Sequence, residues 1–367
     1  MRKSLYAVAG LMIILASCKT SYFTAKDKKT VNRVADWQIK NYSDTLAPVT
    51  GWVHAALYRG MVEWANSTQS EKIYKFLYQI GEQQNWGMMP ERVYDADDVC
   101  VGQTYFRLYD KYGKEEMITK VKDRIDYIIA NPDTNPLITK EGKYYRNRWG
   151  WCDALFMAPP VYARLSLKTG DNKYLDFCFS EYKVTTDSLY DRDRKLFYRD
   201  LRLVNNRDAK GEKIFWGRGN GWVYAGLALM LDIVPASHPS YNYYKTLYLE
   251  MTDAIVKSQD ANGAWHSSLF DVATYPQPEN SASGFFVYGL SWGLNNNLIT
   301  DATYRQAAIK GWRSLQQYVH PDGKLGYVQP IGHAPRDITF DMTAPYGIGA
   351  YLLAATEMRK MAAKKTK

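Results

Sequence analysis

The chain has 367 residues, of which 46% are hydrophobic and 23% are charged, and its formal net charge is +9. This length fits one large domain or two average ones, and the composition is that of an ordinary globular protein. Part of the positive charge lies in the terminal runs 26–29 (KDKK) and 364–367 (KKTK), and no strong basic block lies inside the fold. The excess therefore indicates a mild attraction to anionic ligands and argues against nucleic-acid binding.

The first eighteen residues, MRKSLYAVAGLMIILASC, have the layout of an export signal. A basic start precedes an apolar run of about 13 residues, too short to span a membrane as a mature helix. The run ends in Leu-Ala-Ser-Cys18, which resembles a bacterial lipobox. This resemblance implies a signal peptide at 1–17, lipidation of Cys18 and a flexible linker at 18–29. The alternatives are an ordinary signal peptide or an N-terminal anchor.

We therefore expect a lipid-anchored protein of the bacterial cell envelope, facing the periplasm or the outer surface, that touches the membrane only through this anchor. Beyond Cys18 the chain contains Cys100, Cys152 and Cys178 and no CxxC motif, so neither a disulfide framework nor a zinc site is indicated. Aromatic residues make up 14% of the chain. This excess suits a carbohydrate site, because flat sugar faces stack on rings, although composition alone favours plain packing as the explanation.

Apolar residues recur at helical spacing along almost the whole remaining chain, and strand-like alternation is scarce. The pattern predicts an all-α protein with twelve helical segments. These are 28–41, 51–66, 70–84, 98–112, 115–131, 153–169, 171–189, 219–234, 239–260, 281–296, 300–319 and 342–360.

The connections between these helices alternate in length. Those after the even-numbered helices are short, and those before them are longer and carry many of the Trp, Gly, Asp and His residues. Short links join antiparallel neighbours. Six such hairpins in a ring predict a single (α/α)6 barrel at 30–362, with every long loop and the start of every even-numbered helix at one end. An open solenoid is the alternative, and the absence of a fixed-length repeat disfavours it.

If this layout holds, unusual residues at the starts of the even-numbered helices converge at the loop-rich end. Those residues and their near neighbours in the same loops are Trp52, His54, Asp97, Asp98, Trp149, Trp151, Asp153, Trp216, Arg218 and Trp222. Singly, each has an ordinary explanation: the acids fit helix N-caps, His54 a core position, and the tryptophans packing. Jointly, they predict a concave, partly apolar site, and such a site can shift the pKa values of two acids in opposite directions.

A carboxyl group at a helix N-terminus favours the ionised form. A general acid there needs a neighbouring negative charge or desolvation to stay protonated. We expect Asp97 to supply the charge to Asp153, and Trp149 and Trp151 to supply the desolvation.

Five longer stretches resemble glycoside hydrolase families 88 and 105, most closely 105. They are DADDVCVGQ, WCDALFMAPP, FWGRGNGWVYAGLA, DANGAWHSSLFD and ENSASGFFVYGLSWG, spread over about residues 30–360. The resemblance implies an (α/α)6 fold and an unsaturated glucuronyl or rhamnogalacturonyl hydrolase. Such an enzyme removes a 4,5-unsaturated uronic acid from the non-reducing end of oligosaccharides left by polysaccharide lyases, of rhamnogalacturonan or ulvan type.

The implied reaction hydrates a vinyl ether: an acid protonates C4, water adds at C5, and the resulting hemiketal opens and releases the aglycone. By the same resemblance the proton donor is Asp153 and the supporting acid is Asp97, with Asp98 next if the register slips. Arg218, Trp216 and Trp222 match substrate contacts, and His54 matches less securely. No metal or cofactor is required, and no metal-ligand spacing is present.

Two departures from the family pattern concern the sugar contacts. A histidine is expected in the segment KLFYRD, where Tyr198 and Arg199 stand, and another aromatic position falls near Tyr145. Three alternative functions stay open. These are a conventional inverting glycosidase, which needs two carboxyls about 6.5–9.5 Å apart, a polysaccharide lyase on the same toroid, and a non-catalytic lipoprotein that binds oligosaccharides.

Overall fold

The computed structural model describes residues 22–43, 47–137 and 147–364. Within these ranges the chain forms fourteen helices and one two-stranded antiparallel hairpin. The elements are α1 (Ala25–Lys40), α2 (Trp52–Thr68), α3 (Glu71–Gln83), α4 (Ala96–Val99), α5 (Gly102–Tyr112), α6 (Glu116–Ala130), α7 (Ala154–Met157), α8 (Pro159–Thr169), α9 (Lys173–Leu189), β1 (Tyr190–Asp191), β2 (Leu196–Phe197), α10 (Gly217–Ile233), α11 (Ser240–Lys257), α12 (Asn280–Asn295), α13 (Ala302–Gln317) and α14 (Pro345–Lys364).

The inner layer of the molecule is a closed ring of six helices. Each packs against the next in the order α2, α5, α8, α10, α12 and α14, and α14 packs back onto α2. Every residue of α12 is buried, because this helix has neighbours on all sides. An outer helix covers each inner one, α3, α6, α9, α11 and α13 on α2, α5, α8, α10 and α12, and α1 on α14. The predicted (α/α)6 barrel is confirmed.

The outer helices bury one face only. In α3 the buried residues are Ile73, Tyr74, Leu77, Ile80 and Gly81, which recur at the spacing of one helical face. This periodicity is the pattern that predicted the helices from the sequence. Short turns then reverse the chain: Gly113 follows the last residue of α5 and Gly170 that of α8, both in the left-handed conformation that glycine adopts without strain.

Two predicted helices are broken near their N-terminal ends. The segment predicted at 98–112 forms α4 and α5, and the one predicted at 153–169 forms α7 and α8. Pro159 is the first residue of α8 and has no N–H to continue α7, so a new helix begins there. Between α4 and α5 the amides of Gln103 and Thr104 bond three residues back, which tightens the turn. Both breaks leave a short helical segment at the loop-rich end.

The linker predicted for 18–29 is wrong over its last residues, because α1 begins at Ala25. Thr24 and Asp27 form a capping box, in which the Thr24 amide donates to Asp27 at 2.6 Å and the Asp27 amide donates to Thr24 at 3.2 Å. Asp27 is buried and also accepts from Arg313 at 3.1 Å. The signal peptide at 1–17 and Cys18 lie outside the described residues. Among the described helices, none is long and apolar enough to cross a membrane.

Candidate active site

A cavity of about 170 Å³ lies at the loop-rich end of the barrel. Its walls come from the N-terminal ends of α2 and α10, from α4 and α7, and from the residues just before α7. The loops that precede α10 and α14 complete them. The lining residues are Trp52, Asp97, Trp151, Asp153, Met157, Arg199, Trp216, Arg218, Trp222, Ile331 and Gly332. The expected convergence of both acids, the arginine and most of the tryptophans is therefore present in the structure.

Asp153 stands immediately before α7, yet its side chain makes no capping hydrogen bond to that helix. Its carboxyl lines the cavity, and its Oδ2 atom lies 3.3 Å from Nε of Arg199. The amide of the preceding residue, Cys152, donates to the carbonyl of Arg199 at 2.8 Å and so fixes the backbone beside the acid. The ordinary explanation of Asp153 as a helix cap does not apply.

Burial raises the pKa of Asp153 above its ordinary value, and the positive charges of Arg199 and Arg218 only partly oppose this effect. The negative charge of Asp200 acts in the same direction as burial. The protonated form of Asp153 is thereby favoured relative to a carboxyl group in water. The surroundings of this side chain suit a general acid.

Asp97 reaches the same cavity from α4. The cap of that helix is Asp95, whose Oδ1 accepts from the Asp97 amide at 3.1 Å. Because Asp95 serves as the cap, the Asp97 carboxyl is not needed for that purpose and is directed to the cavity wall. Two acids therefore share one small site.

The aromatic wall is a continuous set of ring contacts. Trp52 stacks on Tyr346 with centroids 5.3 Å apart and meets Trp222 edge to face at 6.2 Å. Trp222 in turn packs on Phe285 at 4.3 Å and Phe156 at 4.8 Å. These contacts hold the rings of Trp52 and Trp222 at the cavity and give it an apolar side on which a sugar face can stack.

Arg218 is buried and carries a charge that no carboxylate balances within ion-pair distance among the described residues. Its Nη1 and Nη2 atoms donate to the carbonyls of Gln329 at 2.5 Å and Pro330 at 3.0 Å. Its guanidinium lies over the rings of Trp216 at 4.6 Å and Tyr346 at 4.8 Å. A buried cation with only neutral partners is an attractive partner for an anionic ligand group.

Three residues predicted as substrate contacts lie elsewhere, which corrects those expectations. Asp98 is fully buried on the other side of α4 and is bound by Arg92, and burial raises its pKa to about 6. His54 packs between Tyr42 and Tyr58, and its Nδ1 lies 3.2 Å from the Pro48 carbonyl. Each therefore belongs to the interior rather than to the cavity wall.

Trp149 is the third of these residues. Its ring meets Tyr162 edge to face at 5.8 Å, and its carbonyl accepts from Thr185 at 2.6 Å. It does not line the cavity, so Trp151 is the tryptophan of this loop that borders Asp153. Local sequence could not distinguish the two, because both flank the same turn.

Four lining residues were not predicted as site residues: Met157, Arg199, Ile331 and Gly332. The sequence could have indicated Arg199 as a site residue, since it stands in the segment where a histidine was expected. Ile331 and Gly332 lie in the long loop before α14, and nothing local marks them. Gln329 in that loop organises the wall: its side-chain oxygen accepts from Trp216 at 2.9 Å and from Ser267 at 3.0 Å.

No group of three or more His, Cys, Asp or Glu side chains within the described ranges is arranged to hold a metal ion. Tyr145, near which a further aromatic contact was expected, lies outside those ranges.

The sequence profile of Glycosyl Hydrolase Family 88 matches residues 30–362. The chain belongs to glycosyl hydrolase family 88. It is thus a glycoside hydrolase, as the resemblance in its sequence implied. A relative from Formosa agariphila named unsaturated 3S-rhamnoglycuronyl hydrolase is 35% identical over 338 residues, which cover 90% of this chain and 89% of that protein.

Two solved structures share the fold over most of both chains. A glycosyl hydrolase family 88 protein from Bacteroides vulgatus has a TM-score of 0.82 and 26% identity, covering 91% of this chain and 98% of that one. A protein named as a polysaccharide lyase has a TM-score of 0.81 and 28% identity, covering 90% and 96%. The family 88 barrel therefore extends across the whole described body of the chain.

Proposed function

We propose that this family 88 hydrolase removes a 4,5-unsaturated uronic acid from the non-reducing end of oligosaccharides, with Asp153 as general acid and then general base. The observation that carries the proposal is the Asp153 carboxyl itself. It makes no capping hydrogen bond, is buried, and lines a cavity that also contains the guanidinium of Arg218, which has no carboxylate within ion-pair distance among the described residues. Membership of the family and the name of the Formosa relative support it.

Arg218 binds the uronate carboxylate in this proposal. A guanidinium forms two parallel charge-assisted hydrogen bonds with a carboxylate, which fixes both the position and the plane of the group. Trp216 and Tyr346 flank the guanidinium and hold it in place. The sugar ring then lies against Trp52 and Trp222, with its double bond toward Asp153.

The reaction begins when Asp153 transfers its proton to C4 of the vinyl ether. Positive charge develops at C5 and is shared with the ring oxygen, and the Asp153 carboxylate now in the site stabilises that charge. Water adds at C5 and gives its proton to Asp153, which restores the acid. The hemiketal formed in this way opens and releases the aglycone. Asp200 adds negative charge that favours the protonated state of Asp153 before the first step, and Asp97 lies on the same cavity wall as the supporting acid.

The proposed substrate carries rhamnose next to the unsaturated uronic acid. The name of the Formosa relative specifies a rhamnoglycuronyl substrate of the 3S type. At 35% identity over nearly the whole chain, we extend the rhamnose-linked unsaturated uronide to this protein. No nucleic acid or cofactor has a place in the scheme.

The test follows the absorbance of the unsaturated uronide with oligosaccharides prepared by lyases from ulvan, rhamnogalacturonan and glycosaminoglycans. The wild type should destroy the chromophore, fastest with a rhamnose-linked substrate. Asp153→Asn should lower kcat by about 1,000-fold or more, because an amide N–H is far too weak an acid to protonate C4, and should still bind the substrate. A binding protein without catalysis would leave the absorbance unchanged with the wild type as well.

A second candidate is a polysaccharide lyase, which the solved structure named as a lyase favours at 28% identity. A lyase creates the unsaturated uronide instead of consuming it. With an intact uronate-containing polymer, absorbance should therefore rise if the protein is a lyase and stay constant if it is the proposed hydrolase. An inverting glycosidase would release a saturated sugar and change the absorbance in neither assay.

We also propose that the protein is anchored in the cell envelope through a lipid on Cys18. The basic start, the short apolar run and the Leu-Ala-Ser-Cys sequence support this. Cys18→Ser should release the full-length protein from the membrane fraction into the soluble fraction, and wild type that partitions in the same way would contradict the anchor.

A further inference from the structure

Arg199 is a second guanidinium in the cavity, and it is tied to the acid at two points. Its Nε atom lies 3.3 Å from Oδ2 of Asp153. Its main-chain carbonyl accepts from the amide of Cys152, the residue before the acid, at 2.8 Å. The short bridge between Trp151 and Asp200 runs alongside. The segment that carries Arg199 and the segment that carries Asp153 are therefore held in one fixed relation.

Asp200 binds the Arg199 guanidinium, and Arg202 binds Asp200. Nη1 of Arg199 donates to Oδ2 of Asp200 at 2.7 Å, and Arg202 donates to the same carboxylate through Nη2 at 2.7 Å and Nε at 3.0 Å. Burial alone would raise the pKa of Asp200, but the hydrogen bonds from Arg202 and Arg199 outweigh it and lower the pKa. Asp200 thus stays ionised and keeps Arg199 oriented.

Two contacts from neighbouring side chains reach the Asp153 carboxyl group, and both are to the same oxygen. Arg199 Nε approaches Oδ2, and so does Sγ of Cys152 at 4.0 Å. Within the described residues, no side-chain hydrogen bond or ion pair is formed with the other oxygen, Oδ1. The Arg199 contact is an ion pair rather than a hydrogen bond, and its positive charge, together with the Cys152 thiol that donates to the same atom, favours negative charge rather than a proton on Oδ2. A proton on the neutral acid is therefore placed on the other oxygen.

We propose that Arg199 is the positioning residue of the acid: by engaging Oδ2 of Asp153, it leaves Oδ1 as the atom that carries the transferable proton. This inference rests on the proposed role of Asp153. It gives a function to a residue that stands where a histidine was expected from the sequence. The support runs from Arg202 through Asp200 to Arg199 and from there to the acid.

The charge of Arg199 provides a readout that a purely structural role would lack. The charged groups around Asp153 are Arg199 and Asp200 on the neighbouring segment, Arg218 on α10 and Asp97 on α4. Arg199 and Arg218 favour the ionised acid, and Asp200 opposes ionisation. If Arg199 loses its charge, Asp153 holds its proton to higher pH. In the pH profile of kcat/KM, the basic limb marks the pH at which Asp153 of the free enzyme loses its proton. This limb must then move to higher pH.

The experiment compares the pH profiles of the wild type, Arg199→Gln, Arg199→Lys and the control Arg194→Gln on an unsaturated uronide. Arg194 is exposed and pairs with Glu212 at 3.4 Å, so its substitution removes the same charge outside the cavity. For Arg199→Gln we expect kcat to fall about 10- to 100-fold and the basic limb to rise by about 1 pH unit or more. Arg199→Lys should keep the limb near the wild-type position but not restore kcat, because an ammonium group keeps the charge and loses the planar geometry. Arg194→Gln should match the wild type.

Circular dichroism and thermal unfolding establish that each variant is folded. A folded Arg199→Gln variant with the wild-type limb and kcat overturns the inference. Equal losses in Arg199→Gln and Arg199→Lys with no movement of the limb in either also overturn it, since only a structural role remains. If the wild type itself consumes no chromophore, the proposed function fails instead, and the two failures are thereby distinguished.

Discussion

Arg218 and Arg199 are both guanidinium groups in one cavity, but their charges are balanced differently. Arg199 has carboxylates at Asp153 and Asp200, whereas Arg218 has two backbone carbonyls and two aromatic rings. The first arrangement fixes an acid, and the second leaves a charge available to a ligand. This contrast assigns the uronate carboxylate to Arg218 rather than to Arg199.

Replacing Arg218 by alanine tests this assignment. We expect KM for an unsaturated uronide to rise about 10- to 100-fold, because a charge-assisted hydrogen-bonded contact of this kind contributes about 1.5–3 kcal/mol. Steady-state kinetics measure the effect, and Arg218→Lys, which keeps the charge without the two-pronged geometry, should lie between the two. An unchanged KM in a folded alanine variant would show that this arginine does not bind the carboxylate.

At the scale of elements, an ion-pair network joins two inner helices below the site. Glu63 on α2 pairs with Arg59 of its own helix and accepts from Arg107 on α5 through Nε at 2.7 Å and Nη2 at 3.2 Å. Burial by itself would raise the pKa of Glu63, but the two arginines outweigh it and lower the pKa to about 2. The ionised form is therefore bound more favourably in the folded chain than in the unfolded chain.

This pKa fixes the pH dependence of the network. A carboxyl group whose folded-state pKa is lowered stabilises the fold above its unfolded pKa, here about 4.5, and loses that contribution as pH falls toward about 2. Glu63→Gln should lower the free energy of unfolding by about 2 kcal/mol at pH 7. The difference from wild type should shrink between pH 4.5 and 2 in urea titrations. Asp36→Asn, which removes the exposed pair with Lys72, should change stability little, and a pH-independent effect of Glu63→Gln would contradict the assignment.

At the scale of the whole molecule, the barrel closes where α14 meets α2. Gly349 on α14 and Gly60 on α2 let the two backbones approach. A Cβ atom at Gly349 would lie 2.2 Å from the carbonyl oxygen of Ala56, and one at Gly60 would lie 2.1 Å from that of Gly349. Both clashes are with backbone, which cannot move aside as a side chain can.

Gly349→Ala should therefore destabilise the protein even though alanine is the better helix former. We expect a loss of about 1 to 3 kcal/mol from overpacking, measured by urea unfolding, and Gly60→Ala should act in the same direction. A gain in stability, as expected when glycine is replaced in an unconstrained helix, would mean that the first and last inner helices do not meet this closely.

The order, type and approximate ends of the helices follow from the sequence because each outer helix repeats its apolar residues on one face, and short turns force neighbours to be antiparallel. The same local rules place Asp97, Asp153, Trp216 and Arg218 at one end of the barrel. They do not give the direction of a side chain. Asp97 and Asp98 are adjacent on one short helix, and only packing sends one to the cavity and the other to Arg92.

The sequence by itself determined the family, the six-hairpin barrel and most of the residues that meet at its loop-rich end, since these depend on periodicity, loop length and motifs. Only the tertiary structure decided that Asp153 does not cap its helix, that Arg199 contacts it, that Gln329 accepts from Trp216, and that Ile331 lines the cavity. Those features arise from contacts between segments far apart in the chain. No local pattern of residues encodes them.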